Sequence, residues 1–529
     1  MGFWAKSLLI FNSFCHNAKQ SIRQVAHQTG LSKSSVHRLK QAMERRDNHP
    51  ESWWWETEEG RQWLTRLVVA TLYIFGLKRG VGVDTISEFF TRLRLETQVG
   101  CSSSALRGVM QALEKAVVET AQTWEQDGIA QGEVHEIIGG ADETFLQRMM
   151  LVFQDVSTGY LLLEDVADNR TYTTWKAAVD ERLKALGTEV WYVVSDRANA
   201  LIQLAEQGLA CLSMPDFFHL MHDIVKSYSL ALARQVRQAH KGLTHAEEVR
   251  AKHLRLPQPE PDGPEANTQV EMQRAEVQHW EEVQCTYREH LETLSLTLHP
   301  FDIATSLPQT SGQVESRLQA EVDAIEALAG RHQLPARPGA MHKVRKQLPA
   351  LAALVDVWWQ AVERDVEPFG LSSQWRQWVE ECLLPMVYCD HQVARTRCRR
   401  RKAKIQQAWH EARTAFDRHA ITQRLAPQVR ADWHAWATDR VHAFQRASSA
   451  VEGRNGYLSQ MHHNQRGLPK QRYKVWTVLH NFDCRAADGT TPASRFFRRT
   501  FPDLFEAVVS HIEVLPWSRQ RKHDGVLSG

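Results

Sequence analysis

An α/β unit with a mixed sheet, set in an otherwise helical chain and preceded by an all-helical helix-turn-helix segment, is the fold class that three observations predict. A basic N-terminal stretch carries a turn glycine and a capping serine at helix-turn-helix spacing. The hydrophobic period changes from helical to strand-like near residue 133 and returns to helical after about residue 220. Between those points the order is three strands, helix, strand, helix, strand, the order of an α/β sheet and not of a bundle. At 529 residues the chain is long enough for three or four domain-sized units. We place them at 1–50 (helix-turn-helix), 51–130 (helical), 131–228 (first part of the sheet domain), 229–440 (helical insertion) and 441–529 (last part of the sheet domain with a basic tail).

Residues 1–50 hold eight Lys/Arg against only Glu44 and Asp47. In Ser21–Lys40, Ile22, Val25 and Ala26 form one apolar helix face, Gly30 permits the turn, Leu31 anchors it, and Ser32 caps a second helix with Val36 and Leu39 inward. Lys33, Ser34, Ser35, His37, Arg38 and Lys40 are then free to face outward, where a recognition helix meets base edges and phosphates. The short apolar stretch at the N-terminus lacks a small-residue cleavage site and reads as a first helix. No run of 18 apolar residues exists, so no membrane partner is expected. Eight irregularly spaced cysteines fit reduced thiols better than a disulfide framework.

Residues 51–128 are helical in pattern. Val83–Leu95 and the segment from Val99 to Leu113, capped by Ser102, read equally as a second helix-turn-helix or a structural helix pair. Trp53-Trp54-Trp55 reads as packing. The strand pattern then covers His135–Phe145, Arg148–Val156 and Gly159–Val166, the last two joined by a Ser157-Thr158-Gly159 hairpin signal. A helix over Thr173–Leu186, a buried strand Val190–Val194, a helix Ala198–Glu206 and a strand Ala210–Ser213 follow. The later helices are interrupted by a proline-rich loop at 256–264 and packed by Trp358, Trp359, Trp375 and Trp378. A final helix spans roughly Ala431–Ser459.

Three carboxylates stand out. Asp142 lies on the first strand among small residues, Asp196 ends the buried strand where α/β sheets place ligands, and Glu452 is the only acid between Asp439 and Asp483. A carboxylate at a loop end is ordinarily just solvated; the order of all three behind a DNA-binding segment singles these out. Together they suit two Mg²⁺ ions, for which Mn²⁺ substitutes, arranged for in-line phosphoryl displacement.

The order Asp142, Asp196, Glu452 on strand, strand and helix resembles the DDE transposases of bacterial insertion sequences. The blocks Asp142-Glu-Thr-Phe145, Val193-Val-Ser-Asp196 and Ser448-Ser-Ala-Val-Glu452-Gly-Arg-Asn455 carry the resemblance. It implies an RNase H-like mixed-sheet catalytic domain with a large all-helical insertion. It further implies DNA cleavage and strand transfer, terminal inverted repeats and target DNA as double-stranded partners, a homodimer or larger synaptic complex, and a bacterial, nucleoid-associated cytoplasmic location. The rival reading is a transposase-derived, sequence-specific DNA-binding regulator without catalysis. The Tyr-Arg-Glu-Lys signature of one large group is absent, since Gln445 and Ser448 stand seven and four residues before Glu452.

Secondary candidates are His219 and His222, accessory to the phosphate or a metal ligand, and Glu143, expected to face away from Asp142. Asp165 and Asp168 are weaker acid alternatives. Arg399, Arg400 and Arg401 belong to a run of seven cations from Arg395 to Lys404 that reads as a DNA phosphate path or a solvated face; Arg454 is a further DNA contact. Cys382, Cys389, His391 and Cys398 are zinc-type ligands at spacings wider than structural zinc sites use. His462 and His463 have no assigned mechanism.

Overall fold

The computed structural model describes residues 10, 13, 20–47, 57–132, 136–146, 148–253, 263–335, 337–464, 470–512 and 515–516. Trp53–Trp55, most of the proline-rich segment 256–264, Arg466 and the basic stretch 519–522 lie outside the described residues.

Helices α1 (Ile22–Thr29) and α2 (Lys33–Asp47) form the N-terminal pair. Ser21 and Gln24 make a capping box at the start of α1, and Gly30 takes the left-handed conformation (φ 68°) that ends it. Ser32 Oγ accepts the Ser35 N–H at 3.2 Å. The pair closes on its own small core of Ile10, Val25, Ala26, Val36 and Leu39. That packing leaves Lys33, Ser34, His37 and Arg38 exposed and Ser35 and Lys40 partly so.

Next come α3 (Glu58–Thr71), which runs on as a π-helical segment Leu72–Lys78, then α4 (Val83–Arg92) and the long α5 (Ser103–Gln131). Ser102 caps α5 by accepting the Ala105 N–H. The sheet is built from β1 (Glu136–Phe145), β2 (Met149–Asp155), β3 (Leu161–Ala167), β4 (Glu189–Ser195) and β5 (Leu212–Pro215). Helix α6 (Tyr172–Leu186) connects β3 to β4, and α7 (Asn199–Gln203) connects β4 to β5. Strand order is β3-β2-β1-β4-β5, with the first three antiparallel and β1, β4 and β5 parallel, so the sheet is mixed.

The helical block holds α8 (Phe217–His253), α9 (Gly263–Thr297), α10 (Ser311–Arg331), α11 (Pro338–Val366), α12 (Ser373–Trp378), α13 (Leu384–Arg395), α14 (Arg399–Arg418), α15 (Ala420–Arg424) and α16 (Pro427–His442). Trp358 and Trp378 are fully buried within it, with Trp359 and Trp375 packed beside them. The chain then returns to the sheet as α17 (Ser449–Asn464) and α18 (Lys470–Asp483), followed by the short α19 (Pro492–Phe496) and α20 (Leu504–Val509). Asn481 on α18 brackets Leu161, accepting its N–H and donating to its C=O, both at 2.9 Å. These bonds satisfy backbone groups that β3, an edge strand, would otherwise present to water.

The expected continuous helix Ala431–Ser459 is instead two helices, broken at Ala443–Ser448. Tertiary hydrogen bonds replace the helical ladder across the break. Tyr192 Oη donates to the Ala443 C=O (3.0 Å) and accepts the Gln445 N–H (3.0 Å). The Phe217 N–H donates to the Arg446 C=O (3.0 Å), and the Ser448 N–H donates to Asp216 Oδ2 (3.0 Å). Glu452 therefore lies in the first turn of a helix that starts at the sheet.

Candidate functional site

Strand register brings three aspartates together. Gly140 pairs with Val194 in the parallel β1–β4 ladder, and Ser195 pairs with Pro215 between β4 and β5. Continued past the last pairs, the same register sets Asp142, Asp196 and Asp216 side by side at the C-terminal ends of three parallel strands. Just beyond Asp196, Arg197 adopts left-handed backbone (φ 62°), a conformation costing roughly 1–2 kcal/mol for an L-residue. The Ala198 N–H donating to Asp196 Oδ1 (2.8 Å) and the Arg197 N–H donating to Ser195 Oγ (3.2 Å) hold the turn.

Helix α17 supplies the fourth acid, and small residues on β1 let it in. A Cβ built on Gly140 would lie 2.4 Å from Val156 Cγ1 and 2.9 Å from Val451 Cγ2. Gly140→Ala is accordingly expected to push α17 off the sheet and lower stability by about 1–3 kcal/mol, measured by urea denaturation; stability equal to wild type would exclude this close contact. One turn further along α17, Asn455 Nδ2 donates to Asp142 Oδ2 at 2.7 Å. The Glu143 N–H donates to Asp142 Oδ1 at 2.9 Å.

Electrostatics follow from this crowding. Burial pushes the Asp142 carboxyl up to about 7, helped by the negative charges of Glu452, Glu143 and Asp196 and opposed by the Glu143 N–H. His219, on α8, lies between two acids: its Nδ1 is 3.3 Å from Asp216 Oδ2 and its Nε2 is 3.2 Å from Glu452 Oε1. The Asp216 contact is an ion-pair approach and not an aligned hydrogen bond. The Asp216 carboxylate raises His219 to about 9, against the pull of burial, with Glu452 and Asp142 adding to the rise. Burial also pushes the Asp216 carboxyl up, but His219 and Ser448 outweigh it and hold it below its ordinary value.

The sequence candidates distribute unevenly over this geometry. Asp142, Asp196, Glu452 and His219 converge. His222 is exposed one turn along α8, and Asp165 and Asp168 are exposed on and after β3, two strands from β1 in the sheet. Glu143 pairs with Arg170. Arg454, expected to contact DNA, is buried: its guanidinium makes a two-pronged ion pair with Glu164 of β3 (2.7 and 2.9 Å), with neither side chain more than 4% exposed. Arg400 lies near Glu289 and Glu292 of α9 (3.8 and 3.6 Å), Arg401 donates to Ser295 Oγ, and Arg399 remains exposed. Cys382 and Cys389 are buried free thiols, and Cys398 is also free.

Asp216 and Asn455 were missed as site residues. The signal was present in Asp216-x-x-His219, an acid just before a helix and a histidine in its first turn, and in Glu452-x-x-Asn455, three apart on one helix face.

Two family models match the chain. Residues 5–47 match the IclR helix-turn-helix domain, and residues 379–524 match a family of unknown function (DUF6399), a span that includes Glu452, Arg454 and Asn455. The chain carries a helix-turn-helix DNA-binding domain. No curated protein and no solved structure matches it. No helix among the described residues is long and apolar enough to cross a membrane.

Among the described residues, no group of three or more His, Cys, Asp or Glu side chains is gathered to hold a metal ion as the side chains stand. One Asp142 oxygen is turned to Asn455 and one Glu452 oxygen to His219. The chemistry of the cluster nevertheless suits a hard divalent cation. Its carboxylates repel one another, and the buried Asn455 Oδ1 accepts no hydrogen bond among the described residues.

Proposed function

We propose that the chain is a DDE-type DNA transposase with an RNase H-like catalytic fold. It would bind the terminal inverted repeats of a bacterial insertion sequence and cleave and join DNA strands in the nucleoid. The observation that carries this reading is geometric: parallel register sets Asp142 beside Asp196, and α17, which bears Glu452, reaches Asp142 through Asn455. The strand order and the N-terminal DNA-binding domain support it.

Asp142, Asp196 and Glu452 would hold Mg²⁺, two ions in the full reading and replaceable by Mn²⁺, which supplies positive charge to the reacting phosphate. Asn455 keeps Asp142 oriented. The Asp216–His219 pair positions Glu452 and adds a cation beside the phosphate. Water attacks phosphorus as the P–O3′ bond breaks, freeing a 3′-OH. That hydroxyl then attacks a target phosphate and expels a second 3′ oxygen. Joining two ends in one event calls for a dimer or larger synapse.

The test uses the purified full chain, Mg²⁺ or Mn²⁺, and labelled duplex from both flanks of its own gene. Wild type is expected to nick at defined ends, and Glu452→Gln to lose at least about 100-fold of that rate. Specific binding without nicking by either protein would overturn the reading in favour of a DNA-binding regulator. Nicking without joining would make it a nuclease.

A further inference from the structure

Helix α8 starts at the carboxylate cluster and runs outward, paired antiparallel with α9. Toward the far end the two helices bury only Ala239, Ala246, Val270 and Val277 between them, so this part is a two-helix arm. Its two sides differ in charge. Opposite the face packed on α9, α8 carries Lys226, Arg234, Arg237, Lys241 and Lys252, all exposed, with Glu248 the one carboxylate in the stripe. At 100° per residue these positions fall within about a quarter turn of one another. None of the five cations is ion-paired with a carboxylate among the described residues. On α9, by contrast, Glu265, Glu271, Glu276, Glu281 and Glu282 are exposed.

From Lys226 to Lys252 the stripe rises through 26 steps, or roughly 39 Å at about 1.5 Å each, close to one turn of duplex DNA at about 34–36 Å. It begins two helical turns beyond His219. We propose that the basic stripe of α8 is a phosphate track for double-stranded DNA leading to the carboxylate cluster, with acidic α9 turning the duplex to one side of the arm. This rests on the proposed function only in taking duplex DNA as the polyanion. It assigns DNA contact to a surface that neither the helix-turn-helix nor the cation run at Arg395–Lys404 supplies.

The experiment measures binding of the full chain to its flank duplex and to an unrelated duplex of equal length, across a salt series. The variant K226Q/R234Q/R237Q/K241Q is compared with wild type and with E265Q/E271Q/E276Q. Each phosphate contact contributes about 0.9 to the slope of log K against log salt, so the four-site variant is expected to lose about 3–4 from the slope on both duplexes. The acidic-helix variant is expected to keep the full slope. All substituted positions are exposed, so circular dichroism should stay unchanged. A slope equal to wild type in the four-site variant would overturn the proposal. The same slope with a dimer-to-monomer shift in sedimentation would overturn it by making the stripe a contact between copies. Wild type that shows the stripe's slope but never nicks would keep the track and sink the transposase reading alone.

Discussion

Asp142→Asn is expected to abolish strand cleavage, by about 10³-fold or more given the usual weight of a charged group at a reacting phosphate, while leaving duplex binding within about twofold. The same substitution should make the metal-free protein more stable at neutral pH. The carboxyl ionises near its ordinary 3.8 when unfolded but only near about 7 when folded. Between those values the native state holds the extra proton, so the wild type loses stability as pH rises from 4 to 7 and then levels off. Asn carries no such cost. The gain of Asp142→Asn is therefore near zero at pH 4 and reaches on the order of 1–3 kcal/mol above pH 7. Mg²⁺ should raise the melting temperature of wild type and not of the variant. Differential scanning fluorimetry across pH, with and without Mg²⁺, reads all of this. A variant that cleaves like wild type, or a pH-independent stability difference, would remove Asp142 from the site.

Arg454→Ala is expected to cost about 3–5 kcal/mol, because it leaves Glu164 charged and buried with no counter-ion. Glu164 sits on β3 and Arg454 on α17, so the pair ties the helix bearing Glu452 and Asn455 to the sheet. Arg454 also lies over the Tyr457 ring, 4.8 Å from its centroid. Lysine should rescue poorly, since it lacks the planar fork that meets both carboxylate oxygens. Arg454→Met with Glu164→Leu should regain most of the loss, since two apolar side chains leave no orphaned charge. Urea denaturation of wild type and these three variants measures the differences. A loss under about 1 kcal/mol, with weakened DNA binding, would return Arg454 to the DNA surface.

These two residues mark where sequence reasoning reached and where it stopped. Asp142 was legible because a strand pattern with glycines placed a lone acid among small residues, and Asp196 because it ends a continuous apolar strand. The helix-turn-helix was legible for a local reason as well: turn glycine, capping serine and apolar spacing are all properties of twenty consecutive residues. Arg454 misled because a cation in a basic stretch reads as solvent-facing. Its partner, Glu164, lies on a distant strand, and nothing local announces a pair across that separation. The break at Ala443–Ser448 was invisible for the same reason, since its backbone groups bond to Tyr192, Phe217 and Asp216.

The sequence by itself determined the elements whose causes are local: the N-terminal helix pair, the succession of strands and helices along the sheet unit, and two aspartates, one on the first strand and one at the end of the buried strand. Tertiary structure alone decided that Asp216 stands beside them, that His219 lies between Asp216 and Glu452, and that Asn455 orients Asp142. Periodicity reports which face of an element is apolar, whereas a site depends on which elements meet. At Gly140 that meeting turns on the absence of one Cβ, with Val451 held where any larger residue would exclude it.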